Sequence, residues 1–250
     1  MDHGPNPSSA GRRHLLGMLL ASAGALTWHG RSAEGAAPPE PAPGGASQAS
    51  DISQAEHLLF LLPHLANVNP PRTLRYRYVR DGAPGGRFED RVTLVLEAGT
   101  DAACCSVHGE YLSGAQRLSL PDISNARANP VLLYFLEHQV RQLQQRTGGT
   151  QNHFRSMTRR ALANAPAPVP GTLRWRGADV PSRTVRVAPY LDDPYRERFA
   201  ADARTEYSFV VSEAVPGMLY ELRAAIPGTP PGRVEVLTFE GDEAPTPDKR

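Results

Sequence analysis

The chain has 250 residues, with 27 lysine and arginine residues against 26 aspartate and glutamate residues, which gives a formal net charge of +1. A chain so close to neutral has no electrostatic driving force toward DNA, RNA or an anionic membrane surface, so nucleic-acid binding is not expected. Hydrophobic residues make up 40% of the chain, enough for the core of one globular domain.

The beginning of the chain has the pattern of an export signal. Arg12 and Arg13 precede an apolar run over residues 15–26, and polar residues follow it. This run is too short for a membrane span, which takes about 20 residues. The order basic, apolar, polar is that of a secretory signal, and small residues place its cleavage between 33 and 38. A disordered leader that happens to be apolar is the alternative.

The paired arginines refine this expectation. Residues 11–16 resemble twin-arginine signals, although no lysine follows the two leucines. Such a signal implies that the protein crosses the membrane already folded. We therefore expect a periplasmic or secreted protein that has no integral membrane span after signal removal.

Composition divides the chain into four parts. Residues 1–35 form the predicted signal peptide, and residues 36–50, rich in proline, glycine and alanine, form a predicted disordered tether. Residues 51–240 are predicted to be a single domain, followed by a disordered tail over 241–250.

The first part of this domain predicts one helix and a meander of strands. Ser53 and Glu56 have the spacing of a capping box, and Pro70 with Pro71 ends the helical segment. Apolar and polar residues then alternate over 74–78 and 91–96, with a turn at 81–86 between the two strands. Residues 104–112 and 116–120 are predicted to be a third and a fourth strand.

The middle of the chain changes to a helical period. Asn129 and Pro130 form a helix start, an apolar stripe follows, and Gly148 ends it. A second helix is predicted over residues 151–164.

A second group of strands follows a proline cluster. Residues 172–176 nearly repeat residues 73–77, which fits either an internal duplication or convergence on the same alternation. Strands are further predicted over 184–187, 207–211 and 219–226, with a short helix starting at Asp193, and residues 234–239 are predicted to add an edge strand.

These elements predict an α+β fold, in which a curved and mainly antiparallel sheet of about eight strands is covered by a few inserted helices. The order strands, helices, strands, together with the export signal, resembles the LolA/LolB-like group of periplasmic carriers. The resemblance implies a non-catalytic protein that binds a hydrophobic ligand or an envelope protein between sheet and helices. The side chains expected to line that space are Tyr76, Tyr78, Leu132, Phe135, Leu136, Phe154 and Trp175.

The two cysteines are the sharpest local feature. Cys104 and Cys105 are neighbours, so they are packed free thiols, a vicinal disulfide, or part of a metal site. Strand alternation would place Cys104 and His108 on one face, where sulfur and nitrogen could bind copper. This pattern supports an alternative function as a redox or copper accessory protein that uses Cys104, Cys105 and His108.

Two pairs of arginines alternate with the aromatic residues of the repeated segments. Arg75, Arg77, Arg174 and Arg176 could form an anion-binding surface if their two strands were neighbours, because guanidinium groups bind carboxylate or phosphate as a fork. Solvated outer faces of two amphipathic strands are the alternative. No known catalytic, phosphate-binding or metal-binding motif was found, so no catalytic residue and no cofactor is predicted.

Overall fold

The computed structural model describes residues 52–82, 86–99, 104–228 and 232–244. The predicted signal, the predicted tether and residues 245–250 of the predicted tail lie outside these described residues. Within the described ranges, no helix is both long enough and apolar enough to cross a membrane.

Nine antiparallel strands form one open, curved sheet, which confirms the predicted α+β fold. In chain order they are β1 (Arg72–Asp81), β2 (Phe88–Ala98), β3 (Cys105–Tyr111), β4 (Ile123–Ala126), β5 (Val169–Trp175), β6 (Ala178–Val187), β7 (Glu206–Val211), β8 (Leu219–Ala225) and β9 (Val234–Glu243). Their spatial order is β4-β3-β2-β1-β9-β8-β7-β6-β5. The first and the last strand therefore pair at the centre.

Four α-helices accompany the sheet in the described part of the chain. They are α1 (Gln54–Glu56), which continues as a π-helical turn (His57–Leu61), α2 (Val131–Thr147), α3 (Gln151–Ala163) and α4 (Arg196–Phe199). The predicted capping box is present, because the Ser53 hydroxyl accepts from the Glu56 backbone N–H at 3.0 Å. The predicted start of α2 is also confirmed, since the Asn129 side chain accepts from the Val131 N–H at 3.1 Å.

Helix α2 covers the face of the sheet that carries the inward-pointing side chains of β1. Asn129, just before α2, donates a hydrogen bond of 2.8 Å to the Tyr76 hydroxyl. On β3, a Cβ atom at Gly109 would lie only 2.5 Å from a ring carbon of Tyr134. Only glycine lets the helix pack this closely on the strand.

Two sequence predictions about strands were wrong. Residues 116–120 do not form a strand: the chain turns through Leu112 and Gly114, both with positive φ, and the strand follows later as β4. β9 is not an edge strand, because it pairs with both β1 and β8. It also runs to Glu243 and so includes three residues of the predicted tail.

Candidate functional site

Most of the side chains predicted to line a ligand site pack in the core. The fully buried ones are Tyr76, Tyr78, Leu132, Phe135 and Phe154. The Phe135 ring centre lies 6.5 Å from those of Tyr207 and Phe209, and that of Phe154 lies 5.6 Å from Tyr190. These rings contact one another edge-on, so the helix-covered interior is filled by protein side chains.

The other two predicted residues, Leu136 and Trp175, are half-buried against this core. Trp175 ends β5, at the tip of the β5–β6 hairpin. Its ring centre lies 5.4 Å from Phe239 and 6.4 Å from Tyr220. Phe239 in turn lies 5.2 Å from Tyr76, its partner in the β1–β9 register. Trp175 therefore covers an aromatic part of the same sheet face that α2 covers elsewhere.

The hairpin reaches this position because it extends past its neighbour. β6 pairs with β7 only over residues 183–187, whereas its pairing with β5 includes residues 178–184. Arg176 and Gly177 form the turn at the tip with positive φ values of 47° and 84°. The overhanging part of the hairpin is thus free to bend over the sheet.

Few polar contacts hold the tip in place. Arg176 donates a hydrogen bond of 2.8 Å to Asp242 on β9, and its guanidinium group lies 5.2 Å from the centre of the Trp175 ring. The Arg176 side chain is 66% exposed. An ion pair with one partner this exposed contributes only about 1 kcal/mol, so the packing of the Trp175 ring is the main contact of the tip.

A surface cleft of about 330 Å³ lies at the base of the same hairpin. Its walls come from β5, β6 and the end of β7, with the apolar residues Pro170, Pro181, Val211 and Ala214 among them. Arg183 and Glu213 form an ion pair of 3.3 Å at this cleft. The hairpin therefore contacts the core through the Trp175 ring near its tip, and its base borders an open cleft.

The cysteine pair and His108 have different surroundings. Cys104 and Cys105 are joined by a disulfide, one of the three predicted states. Cys105 is buried in the core, and Cys104 lines a cleft of about 440 Å³ beside Val68. His108 is exposed, and its Nδ1 lies 2.6 Å from Asp122.

The predicted copper site gains no support from this arrangement. Alternation along β3 does not extend to Cys104, which precedes the strand and packs against the core instead of sharing the exposed face of His108. Within the described ranges, no group of three or more His, Cys, Asp and Glu residues could hold a metal ion.

The four predicted arginines do not form one anion-binding surface. β1 lies at the centre of the sheet and β5 at its edge, so the required neighbouring strands are absent from the described sheet. Each of the four arginines instead pairs with a different carboxylate, and two of these carboxylates, Glu89 and Asp242, also pair with a further arginine. The pairs are Arg75 with Glu243, Arg77 with Glu89, Arg174 with Asp179, and Arg176 with Asp242.

Sequence reasoning missed a buried carboxylate. Glu235 on β9 is 1% exposed, and one of its oxygens accepts from Tyr78 at 2.8 Å and from Gln139 at 2.7 Å. The same oxygen lies 3.2 Å from His138 Nε2. Burial alone would raise the pKa of Glu235. The hydrogen bond and the charge of His138, and the hydrogen bonds from Tyr78 and Gln139, have the opposite effect and outweigh burial. The pKa of Glu235 is therefore lowered to about 2.

Glu235 makes folding stability depend on pH. Its folded pKa of about 2 lies below the ordinary 4.5, so its ionised form stabilises the fold above pH 4.5, and this contribution disappears as the pH falls toward 2. We expect the difference in unfolding free energy between wild type and Glu235→Gln to shrink over that range. Urea denaturation of both proteins at several pH values measures it, and a constant difference would contradict the assignment.

Comparisons with known proteins give little further information. The chain matches no family model and no curated protein. One similar solved structure is the crystal structure of the LolA superfamily protein NE2245 from Nitrosomonas europaea, at 11% identity over 79% of this chain and 94% of that chain, with a TM-score of 0.21. A TM-score this low supports no statement about function.

Proposed function

We propose that this chain is an exported, non-catalytic binding protein of the bacterial envelope that holds a hydrophobic ligand beneath the β5–β6 hairpin. Export and a periplasmic or secreted location rest on the pattern of the leader, which includes Arg12 and Arg13. The ligand site rests on one observation: Trp175, on an overhanging hairpin, covers Phe239 and Tyr220.

This arrangement suits reversible uptake of an apolar molecule. When the tip moves away, the rings of Phe239 and Tyr220 lose their cover, and burying such rings again is favourable by about 25 cal/mol per Å². A ligand that inserts between Trp175 and these rings contacts all of them and recovers this energy. The ion pair between Arg176 and Asp242 adds little to the cost of moving the tip, because the Arg176 side chain is largely exposed.

Tryptophan fluorescence tests the proposal. The chain has two tryptophans, Trp28 and Trp175, so Trp28→Phe in the full chain leaves Trp175 as the only reporter. We expect N-phenyl-1-naphthylamine, an apolar dye that accepts tryptophan emission, to bind saturably and to quench Trp175. The emission of the dye itself reports its binding in variants that lack Trp175. In the chain that retains Trp28, we expect Trp175→Ala to lower the affinity for the dye about tenfold, or 1.4 kcal/mol.

The control is Tyr195→Ala, which removes another half-exposed aromatic ring from a different part of the chain. It should leave dye affinity unchanged. If the dye does not bind, or if Trp175→Ala and Tyr195→Ala bind it as wild type does, no apolar site lies beneath the hairpin. Binding of a partner protein, the alternative that the sequence analysis implied, would then be the remaining hypothesis.

A further inference from the structure

A third cleft lies at the opposite end of β1 and β9 from the hairpin tip. It has a volume of about 450 Å³. Three arginines from separate parts of the chain line it: Arg146 in the last turn of α2, Arg204 in the turn after α4, and Arg233 just before β9. Asp202 is the only acidic residue among its described lining residues.

The positions of two of these arginines are determined by the fold. Arg146 donates three hydrogen bonds to Asp202, at 2.7, 3.1 and 3.3 Å, which fixes the end of α2 against the turn that carries Arg204. The Ile226 N–H donates to the Arg233 carbonyl at 2.9 Å, so the backbone before β9 lies against the end of β8. Gly232 is needed there, since an added Cβ would collide with the Ile226 carbonyl oxygen.

This corner of the protein has more donors than acceptors. Among the described residues, Arg146 Nη1 and the Nε and Nη1 groups of Arg233 are buried without a hydrogen-bond partner. Arg80 Nε, from the strand paired with β9, is also buried and unpartnered within the described ranges. Against these four donor groups stands one unpartnered acceptor, Glu235 Oε1, which lies 3.9 Å from Arg233 Nε. Leaving buried donors unpaired is costly, because they lose their hydrogen bonds to water and gain none in the protein.

The cleft also carries more positive than negative charge. Three guanidinium groups (Arg146, Arg204 and Arg233) line the cleft with one carboxylate (Asp202), which leaves an excess of two positive charges among its described lining residues. Burial and the charge of Arg146 lower the pKa of Arg233, as expected where cations are crowded. A dianion with several acceptor oxygens supplies both the missing charge and the missing acceptors.

We propose that the cleft lined by Arg146, Arg204 and Arg233 is a binding site for a phosphate group. The phosphate belongs to a small phosphorylated molecule or to a lipid headgroup. This site lies apart from the hairpin, so it stands or falls independently of the hydrophobic ligand.

Arg204→Gln is the informative variant. Arg204 is exposed and has no hydrogen-bond or ion-pair partner among the described residues, so its replacement should leave the fold intact. We expect the full chain to bind inorganic phosphate at one site in isothermal titration calorimetry at constant ionic strength. Arg204→Gln should weaken that binding at least about tenfold, since a charge-assisted contact is lost.

The matched control is Arg186→Gln, which removes the same charge from an exposed position on β6. It should bind phosphate within about twofold of wild type. Absence of phosphate binding by wild type, or equal weakening by the two variants, would overturn the proposal, because the effect would then be one of overall charge.

Vesicles distinguish the two sources of the phosphate group. If wild type binds phosphatidylglycerol vesicles but not phosphatidylcholine vesicles, and Arg204→Gln binds neither, the source is a lipid headgroup. If inorganic phosphate binds in an Arg204-dependent way and neither vesicle does, the source is a small phosphorylated molecule. If vesicles bind wild type and both variants equally, the cleft is not the site of contact and the proposal is wrong.

Discussion

Replacing Glu235 with alanine is expected to lower the free energy of unfolding by about 3–5 kcal/mol, the cost of removing one partner from a buried charged network. Tyr78 and Gln139 lose their shared acceptor, and the nearby guanidinium groups of Arg80 and Arg233 lose a neighbouring negative charge. Chemical denaturation with urea measures the loss.

Glu221→Ala is the control for this prediction, because Glu221 lies on the adjacent strand β8 and is only half-buried. It should change stability by no more than about 0.5 kcal/mol. Glu235→Gln keeps the shape of the side chain and one hydrogen-bond acceptor. Its free energy of unfolding should therefore lie between those of Glu235→Ala and wild type. A Glu235→Ala protein within about 1 kcal/mol of wild type would show that the network contributes little.

Replacing Phe135 with alanine is expected to cost about 3–5 kcal/mol of unfolding free energy, the usual range for removing a buried aromatic ring. Phe135 is 0% exposed and contacts the rings of Tyr207 and Phe209. The cavity left behind has aromatic walls from two residues of β7, so it cannot close completely. Thermal or urea unfolding, monitored by circular dichroism, measures the effect.

The matched control is Leu133→Ala on the same helix, where the side chain is 54% exposed. It should change the free energy of unfolding by less than about 0.5 kcal/mol. Since Phe135 was predicted from sequence to line a ligand space, the experiment also separates the two roles. A loss below about 1 kcal/mol at Phe135 would indicate an open space beside the ring.

Local patterns predicted the elements well. The alternation of Leu74, Tyr76 and Tyr78 gave the inward face of β1, and the Asn129-Pro130 start and Gly148 end gave α2. These features depend on residues close in the chain. The central position of β9 depends on pairing with β1, more than 150 residues earlier, for which a single sequence contains no local signal.

The sites were harder to predict for the same reason. Trp175 meets Phe239 only because an overhanging hairpin bends over the sheet, and the three cleft arginines come from distant segments. One signal was available: Arg80 and Glu235 occupy the inward register of β1 and β9, in line with Tyr78 and Leu237. A charged residue in the apolar register of a strand indicates a buried polar site.

Native mass spectrometry tests the central claim most directly. The full chain should be expressed in a bacterial host and purified without detergent. The proposed function predicts a 1:1 complex with a lipid-sized apolar molecule, which Trp175→Ala retains in a much smaller fraction than Tyr195→Ala does. If wild type and both variants show only the mass of the protein without a ligand, the proposal that the chain carries hydrophobic ligands would be contradicted.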